Sequence, residues 1–348
     1  MDGWRLALVW VAGLLVSLAA GCGSWEEPAL SPVPTSGTAP ASAPTPASAP
    51  TLSPEPAQPP TPTATSVVAP TSTATPAPSF TPEPIAPDGM DVVTFTIVYD
   101  NNAYNPLLRT DWGFACLVET PGTTLLFDTG ADGRTLLGNM AALGLDLEAI
   151  DAIVLSHIHG DHTGGLTGLL DTGIRPTVYV PATFPVSFKD GVRARTSLVE
   201  VQGPVEIRPG IHTTGELGSS LVEQALVITT GDGLVVVTGC AHPGVVEMVR
   251  QAREAVRQAR EVVEGDVALV VGGFHLGQAS RSRIDDIIVE FRRMGVWRTA
   301  PCHCTGDQAR QMFADAFGTD CILTGVGGVI TVGSGEGASI EPTAEGIE

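Results

Sequence analysis

The segment Ser156-His157-Ile158-His159-Gly160-Asp161-His162 constrains this chain more than any other. It follows directly on an apolar run that ends at Leu155, so the histidines stand where a buried strand leaves the core. On an extended backbone alternate side chains share a side, which puts His157 and His159 together. The turn at Gly160 then brings Asp161 and His162 round. Imidazole and carboxylate are zinc ligands, and they suit iron or manganese as well. Two histidines can grip one ion while Asp161 and His162 face a second. Three histidines and an aspartate within six residues, in a chain with seven histidines, are hard to explain by packing.

The later histidines repeat the placement. His242 follows a strand expected over 234–238, His275 follows one over 267–271, and His303 follows a short strand near Trp297. Layered α/β folds gather their sites at strand ends of this kind. His212, in Pro209-Gly210-Ile211-His212-Thr213, is expected to be a surface or loop histidine. Cys302 and Cys304 flank His303, but no second pair of closely spaced cysteines completes a zinc ribbon.

Around these residues, strands are expected over 92–99, 114–119 and 123–127, the last two joined by the turn Thr120-Pro121-Gly122. A helix over 135–143 and a short buried strand over 152–155 come next. Residues 225–229 and 234–238 form a second hairpin across Gly231-Asp232-Gly233. Val245, Met248, Val249, Ala252, Val256, Ala259 and Val263 recur at three- and four-residue spacing, marking a core-facing helix over 244–264. Further helices are expected around residues 284–294 and 307–317, with a strand over 321–323. Hairpins followed by alternating helix and strand imply sheets in the middle and helices outside.

Composition divides the chain. Of its 28 prolines, 18 fall within residues 28–87, in a stretch built mainly of Ala, Ser, Thr and Pro. Such a stretch buries too little apolar surface to offset the entropy of ordering it. The expected organisation is a signal over 1–22, a tether over 23–88, one folded domain over 89–335 and a tail over 336–348. The first 88 residues hold six acids and one base, leaving 32 acids against 17 bases beyond them. That field repels phosphate backbones, so a small-molecule substrate is expected and nucleic acid is not.

At the N-terminus Arg5 precedes a 15-residue apolar run and then Gly21-Cys22, short of the roughly 20 residues that span a bilayer. Leu18-Ala19-Ala20-Gly21-Cys22 resembles the bacterial lipobox, whose Cys is lipidated, although Ala19 stands where Leu is preferred. An ordinary signal peptide or an uncleaved anchor is the alternative. The resemblance implies an exported lipoprotein, anchored to the membrane at the cell surface or in the periplasm. The tether behind Cys22 reaches on the order of 45 Å as a flexible coil.

The HxHxDH pattern of residues 157–162, with Phe127-Asp128-Thr129-Gly130 upstream, resembles the metallo-β-lactamase superfamily. Thr238-Gly239-Cys240-Ala241-His242-Pro243-Gly244, Gly272-Gly273-Phe274-His275-Leu276, Pro301-Cys302-His303-Cys304-Thr305-Gly306 and Gly325-Val326-Gly327 narrow the likeness. They resemble the metal-dependent hydrolases related to an archaeal dihydropterin ribofuranosyl-aminobenzene phosphate synthase. The resemblance implies a four-layer αββα sandwich and two divalent metal ions, zinc first, with manganese or iron as alternatives. It implies His157, His159 and His242 around one ion and Asp161, His162 and His303 around the other. His275 and Cys240 are further candidates, and Asp128 either fixes a histidine or caps a turn. Asp100-Asn101 matches the subgroup, but Asp111-Trp112-Gly113 stands where it carries Glu-His-Gly. An indole cannot replace the proton chemistry of an imidazole.

The expected function is an exported hydrolase that uses a hydroxide held by two metals, with Asp161 as the catalytic residue orienting it, to cleave an ester, phosphodiester or lactone-type bond. Two rivals stand beside it: a non-hydrolytic diiron redox protein on the same fold, and a surface-binding module with structural metals.

Overall fold

The computed structural model describes residues 92–260 and 267–333. The signal, Cys22, the tether, the tail over 336–348 and the last residues of the helix expected to reach 264 lie outside them. No helix among the described residues is long and apolar enough to cross a membrane.

Two sheets form the centre. The first begins with β1 (Val93–Tyr99), β2 (Ala115–Thr120) and β3 (Thr123–Phe127), continues after α1 (Gly133–Ala142) into β4 (Ile150–Val154), and passes α2 (Gly160–Thr163) and α3 (Leu166–Asp171) to reach β5 (Thr177–Pro181). Helix α4 (Val186–Arg193) leads to its edge strand β6 (Leu198–Val201). The second sheet holds β7 (Val205–Arg208), β8 (Ile211–Thr213), β9 (Leu226–Thr230) and β10 (Gly233–Thr238), then α5 (Val245–Arg260) and β11 (Val267–Gly273), then α6 (Arg281–Arg293) and β12 (Val296–Cys302). After α7 (Asp307–Phe317) the chain returns to the first sheet as β13 (Val329–Val332). The orders are β13-β1-β2-β3-β4-β5-β6 and β12-β11-β10-β9-β8-β7.

Strand alternation explains the layering. Val118 and Leu125 face inward to meet Ile228, Val235, Val237 and Leu269 of the other sheet. Their neighbours Leu117 and Leu126 face outward onto Leu136 and Met140 of α1 and Leu166 and Leu169 of α3. On the far side Val236 and Val270 pack under Met248, Ile284, Phe291 and Phe313 of α5, α6 and α7. The result is a mixed α/β sandwich of four layers, αββα.

Two local expectations are corrected. Residues 321–323 form no ladder strand; Cys321 makes only an isolated bridge to Thr299. His212 is not a surface or loop residue: it is buried on β8, opposite Glu206 and Val227. A three-residue strand beside a Pro-Gly turn carries too little periodicity to reveal itself.

The pairing that matters most is parallel. β3, β4, β5 and β6 run together in one sheet and β10, β11 and β12 in the other. The chemistry-bearing segments at the C-terminal ends of β4, β10, β11 and β12 converge.

Candidate metal centre

Six histidines with one aspartate and two thiols meet at these strand ends. The donor atoms of His157, His159 and His242 lie within 4.8 Å of one another, and so do those of Asp161, His162 and His303. Cys240 joins both sides, grouping with His157 and His162, with His242 and His275, and with His303 and Cys304. The structure thus brings together every sequence-predicted site residue except Cys22, which lies outside the described residues. His212 belongs to none of these groups.

Hydrogen bonds behind the rings set their tautomers. The single hydroxyl proton of Ser156 goes to Asp128 Oδ2 at 2.7 Å, so its oxygen accepts from His157 Nδ1 at 2.8 Å. His162 Nδ1 donates to the same Asp128 oxygen at 2.7 Å. His242 Nδ1 donates to Glu223 Oε2 at 3.0 Å, and His303 Nδ1 to Asn101 Oδ1 at 3.0 Å. Each of these four rings spends its proton outward and keeps the Nε2 lone pair for the centre, as metal-ligating imidazoles do. Asp128 therefore fixes two rings, one directly and one through Ser156.

The protonation pattern agrees. Burial, with the neighbouring His162, lowers His157 to about 3, and burial, with His303, lowers His162 to about 3. Both are neutral near pH 7, the form that ligates metal. Partial burial would raise the Asp161 carboxyl, but the His303 and His162 rings hold it well below the usual carboxylate range. Burial lifts Asp128 to about 7 against the bonds from Ser156. In the thiol pair, the bond shared with Cys240 draws Cys304 down and pushes Cys240 up.

These residues fit metal ions. His303 Nε2 is buried and has no hydrogen-bond partner among the described residues. The nearest carboxylate oxygen, Asp161 Oδ2, is 3.5 Å from it and 3.6 Å from His162 Nε2. Those distances exceed good hydrogen bonds, yet ligands on a tetrahedral zinc sit about 3.3 Å apart. His157 Nε2 and His159 Nδ1 approach to 3.1 Å.

The backbone is bent to present the set. Asp128, Ala241, His275 and His303 are the described non-glycine residues in the left-handed region, with φ of 59°, 59°, 53° and 49°. All four stand at the cluster, where such strain is held by surrounding structure. Gly239 is required for space, since a Cβ there would fall on the Ser156 side chain.

Sequence reasoning missed Glu223 and Cys304. Glu223 is fully buried, and its carboxylate accepts from the backbone N–H groups of Cys240, Ala241 and His242 at 2.8–2.9 Å. Burial would raise it, but these bonds and the His242 ring hold it at about 2. A lone carboxylate ahead of the apolar run of β9 was its only signal. In sequence Cys304 is one of two cysteines flanking His303, with no second pair to complete a zinc ribbon and nothing local to set it beside Cys240.

The model of the metallo-beta-lactamase superfamily matches residues 113–248, which carry HxHxDH, Asp128, Glu223, Cys240 and His242. A synthase of Methanocaldococcus jannaschii, named for 7,8-dihydropterin-6-methyl-4-(beta-D-ribofuranosyl)-aminobenzene-5'-phosphate, is 29% identical over 66% of this chain and 93% of its own length. Residues 113–248 thus carry the pattern of the metallo-beta-lactamase superfamily. Another relative is the solved structure of Tm1679, described as a metal-dependent hydrolase of the beta-lactamase superfamily. It is 25% identical, with a TM-score of 0.54 over 69% of this chain and 98% of its own. YhfI of Bacillus subtilis shares the fold at 15% identity, with a TM-score of 0.53 over 70% of this chain and all of its own. The αββα sandwich is thus the metallo-beta-lactamase fold, and the superfamily's members are metallohydrolases.

Proposed function

We propose that this protein is a hydrolase that holds two divalent ions, one in His157–His159–His242 and one in Asp161–His162–His303, and cleaves an ester, phosphodiester or lactone-type bond. The observation that carries this reading is the pair of three-donor groups, each backed by an outward hydrogen bond to Asp128, Glu223 or Asn101. When bound, such a pair of ions lowers the pKa of water and stabilises negative charge developing on oxygen. Nitrogen and oxygen donors with a nearby thiol favour zinc, and manganese or iron accept the same histidine and carboxylate set.

The chain's own groups divide the remaining work. Asp128, Ser156, Glu223 and Asn101 keep the imidazoles aligned. Asp161 stays ionised and partly buried, so its carboxylate can orient the attacking water by accepting a hydrogen bond from it. Cys240 reaches His162 Nε2 at 3.2 Å, placing its thiol between the two groups.

The test is hydrolysis of phosphodiester, ester and lactone substrates by the purified full chain, with and without chelator. Chelator-sensitive turnover restored by zinc or manganese supports the reading. Bound iron without turnover supports the redox alternative instead. Export is part of the same reading, with Cys22 as the lipidated anchor of a surface or periplasmic enzyme. Palmitate labelling that vanishes in Cys22→Ser is expected, and unchanged labelling refutes it.

A further inference from the structure

We propose that Trp112 is the platform on which a planar aromatic or heteroaromatic ring of the substrate stacks. This rests on the hydrolase reading above and narrows its substrate to molecules that carry such a ring. Trp112 is 55% exposed, yet its ring centroid lies 5.0 Å from that of His303, at 52° to it. Among the described exposed large apolar residues it is the one with a ring contact to the ligand groups. The indole thus touches the site at a tilted ring contact, and more than half of the residue is open to solvent. Leu107, on the same loop and 78% exposed, adds to the apolar surface there.

The loop that carries Trp112 is fastened at several points. Asp111 accepts from the Trp112 backbone N–H at 2.8 Å and from the Tyr99 hydroxyl at 2.9 Å. Buried Asn139 donates to the carbonyls of Val98 and Arg109 and accepts from the Arg109 N–H. Behind the tryptophan, Gly113 has φ of 148° and lies against the Asp161 backbone, whose carbonyl accepts from Phe114 N at 3.1 Å. A ring meeting this platform finds it already ordered, so little freedom is lost on contact.

The residue type excludes other roles. An indole offers one N–H donor and no acceptor, so it cannot ligate a metal or relay a proton as an imidazole would. What it offers is a broad flat face, and aromatic pairs gain beyond their buried area in stacked or edge arrangements. A ring lying on Trp112 sits beside Asp161, His162 and His303, with its attached ester or phosphate toward the donors.

The experiment compares binding of phenylphosphonate and methylphosphonate, which are not hydrolysed, to the zinc-loaded full chain by titration calorimetry. The wild type is expected to prefer the phenyl compound about five- to tenfold, the size of one aromatic contact. Trp112→Phe should keep most of that preference and Trp112→Leu should lose it, with bound zinc per chain unchanged in both. A preference that survives in Trp112→Leu, or is absent from the wild type, overturns the proposal. Chelator-sensitive hydrolysis without aryl preference overturns the stacking role alone, whereas no binding of either probe together with no turnover overturns the hydrolase reading as well.

Discussion

Replacing Glu223 by glutamine changes one atom and should disable half of the site. Glu223 Oε1 accepts from two backbone N–H groups, and Oε2 accepts from His242 N at 2.9 Å and His242 Nδ1 at 3.0 Å. A glutamine oxygen can keep the first two, but its amide nitrogen then faces two donors. Either a buried donor is orphaned, at about 1–3 kcal/mol, or His242 moves its proton to Nε2 and loses the lone pair it turns to the centre. The drop of Glu223 from 4.5 to about 2 corresponds to about 3 kcal/mol of stability in the metal-free chain. The sign follows from the direction. A depressed carboxyl stabilises fully above pH 4.5, and that stability is lost as the pH falls towards 2. Glu223→Gln should therefore lower the urea midpoint at pH 7 by an amount equal to about 2–4 kcal/mol, and the gap from wild type should close on acidification. Loss of an outer partner also weakens metal binding about 10- to 100-fold, read by competition with a chromophoric chelator. Asp190→Asn, at an exposed ion pair with Arg193, is the control and should match wild type. A Glu223→Gln protein with wild-type midpoint and metal affinity would refute the reasoning.

Gly239→Ala places a methyl on the Ser156 side chain and 3.0 Å from Asp128 Oδ2; a loss of about 1–3 kcal/mol in denaturant melts of the metal-free chain is expected, with weaker metal binding. Phe313→Ala empties the ring cluster with Phe274 and Phe291 beneath α6 and α7. It should cost about 3–5 kcal/mol by the same assay and leave bound metal per chain unchanged, because that layer only supports the site. Asp161→Asn should remove about one ion per chain by elemental mass spectrometry and abolish chelator-sensitive turnover; retention of both ions would exclude Asp161 as a ligand.

The layered fold was legible wherever one period ran long enough. The strand expected over 267–271 is the start of β11, and the helix expected over 307–317 coincides with α7. The histidines were legible because they cluster in sequence or follow apolar strands. What supports them was less so. Glu223 lies 17 to 19 residues from the amides it holds, and nothing local marks a carboxylate that acts across a loop. Asp128 could be a turn cap or a ring partner until the fold set it against Ser156 and His162. β5, β6, β7 and β8 are short, and their pairing is fixed by neighbours rather than by their own pattern.

The central claim is that two ions share this centre, and counting them tests it most directly. Elemental mass spectrometry on the purified full chain should find about two divalent ions per chain, and about one in His242→Ala and in His303→Ala taken singly. A wild-type chain that purifies with no tightly bound metal, and takes up none on exposure to zinc, manganese or iron, would contradict the account.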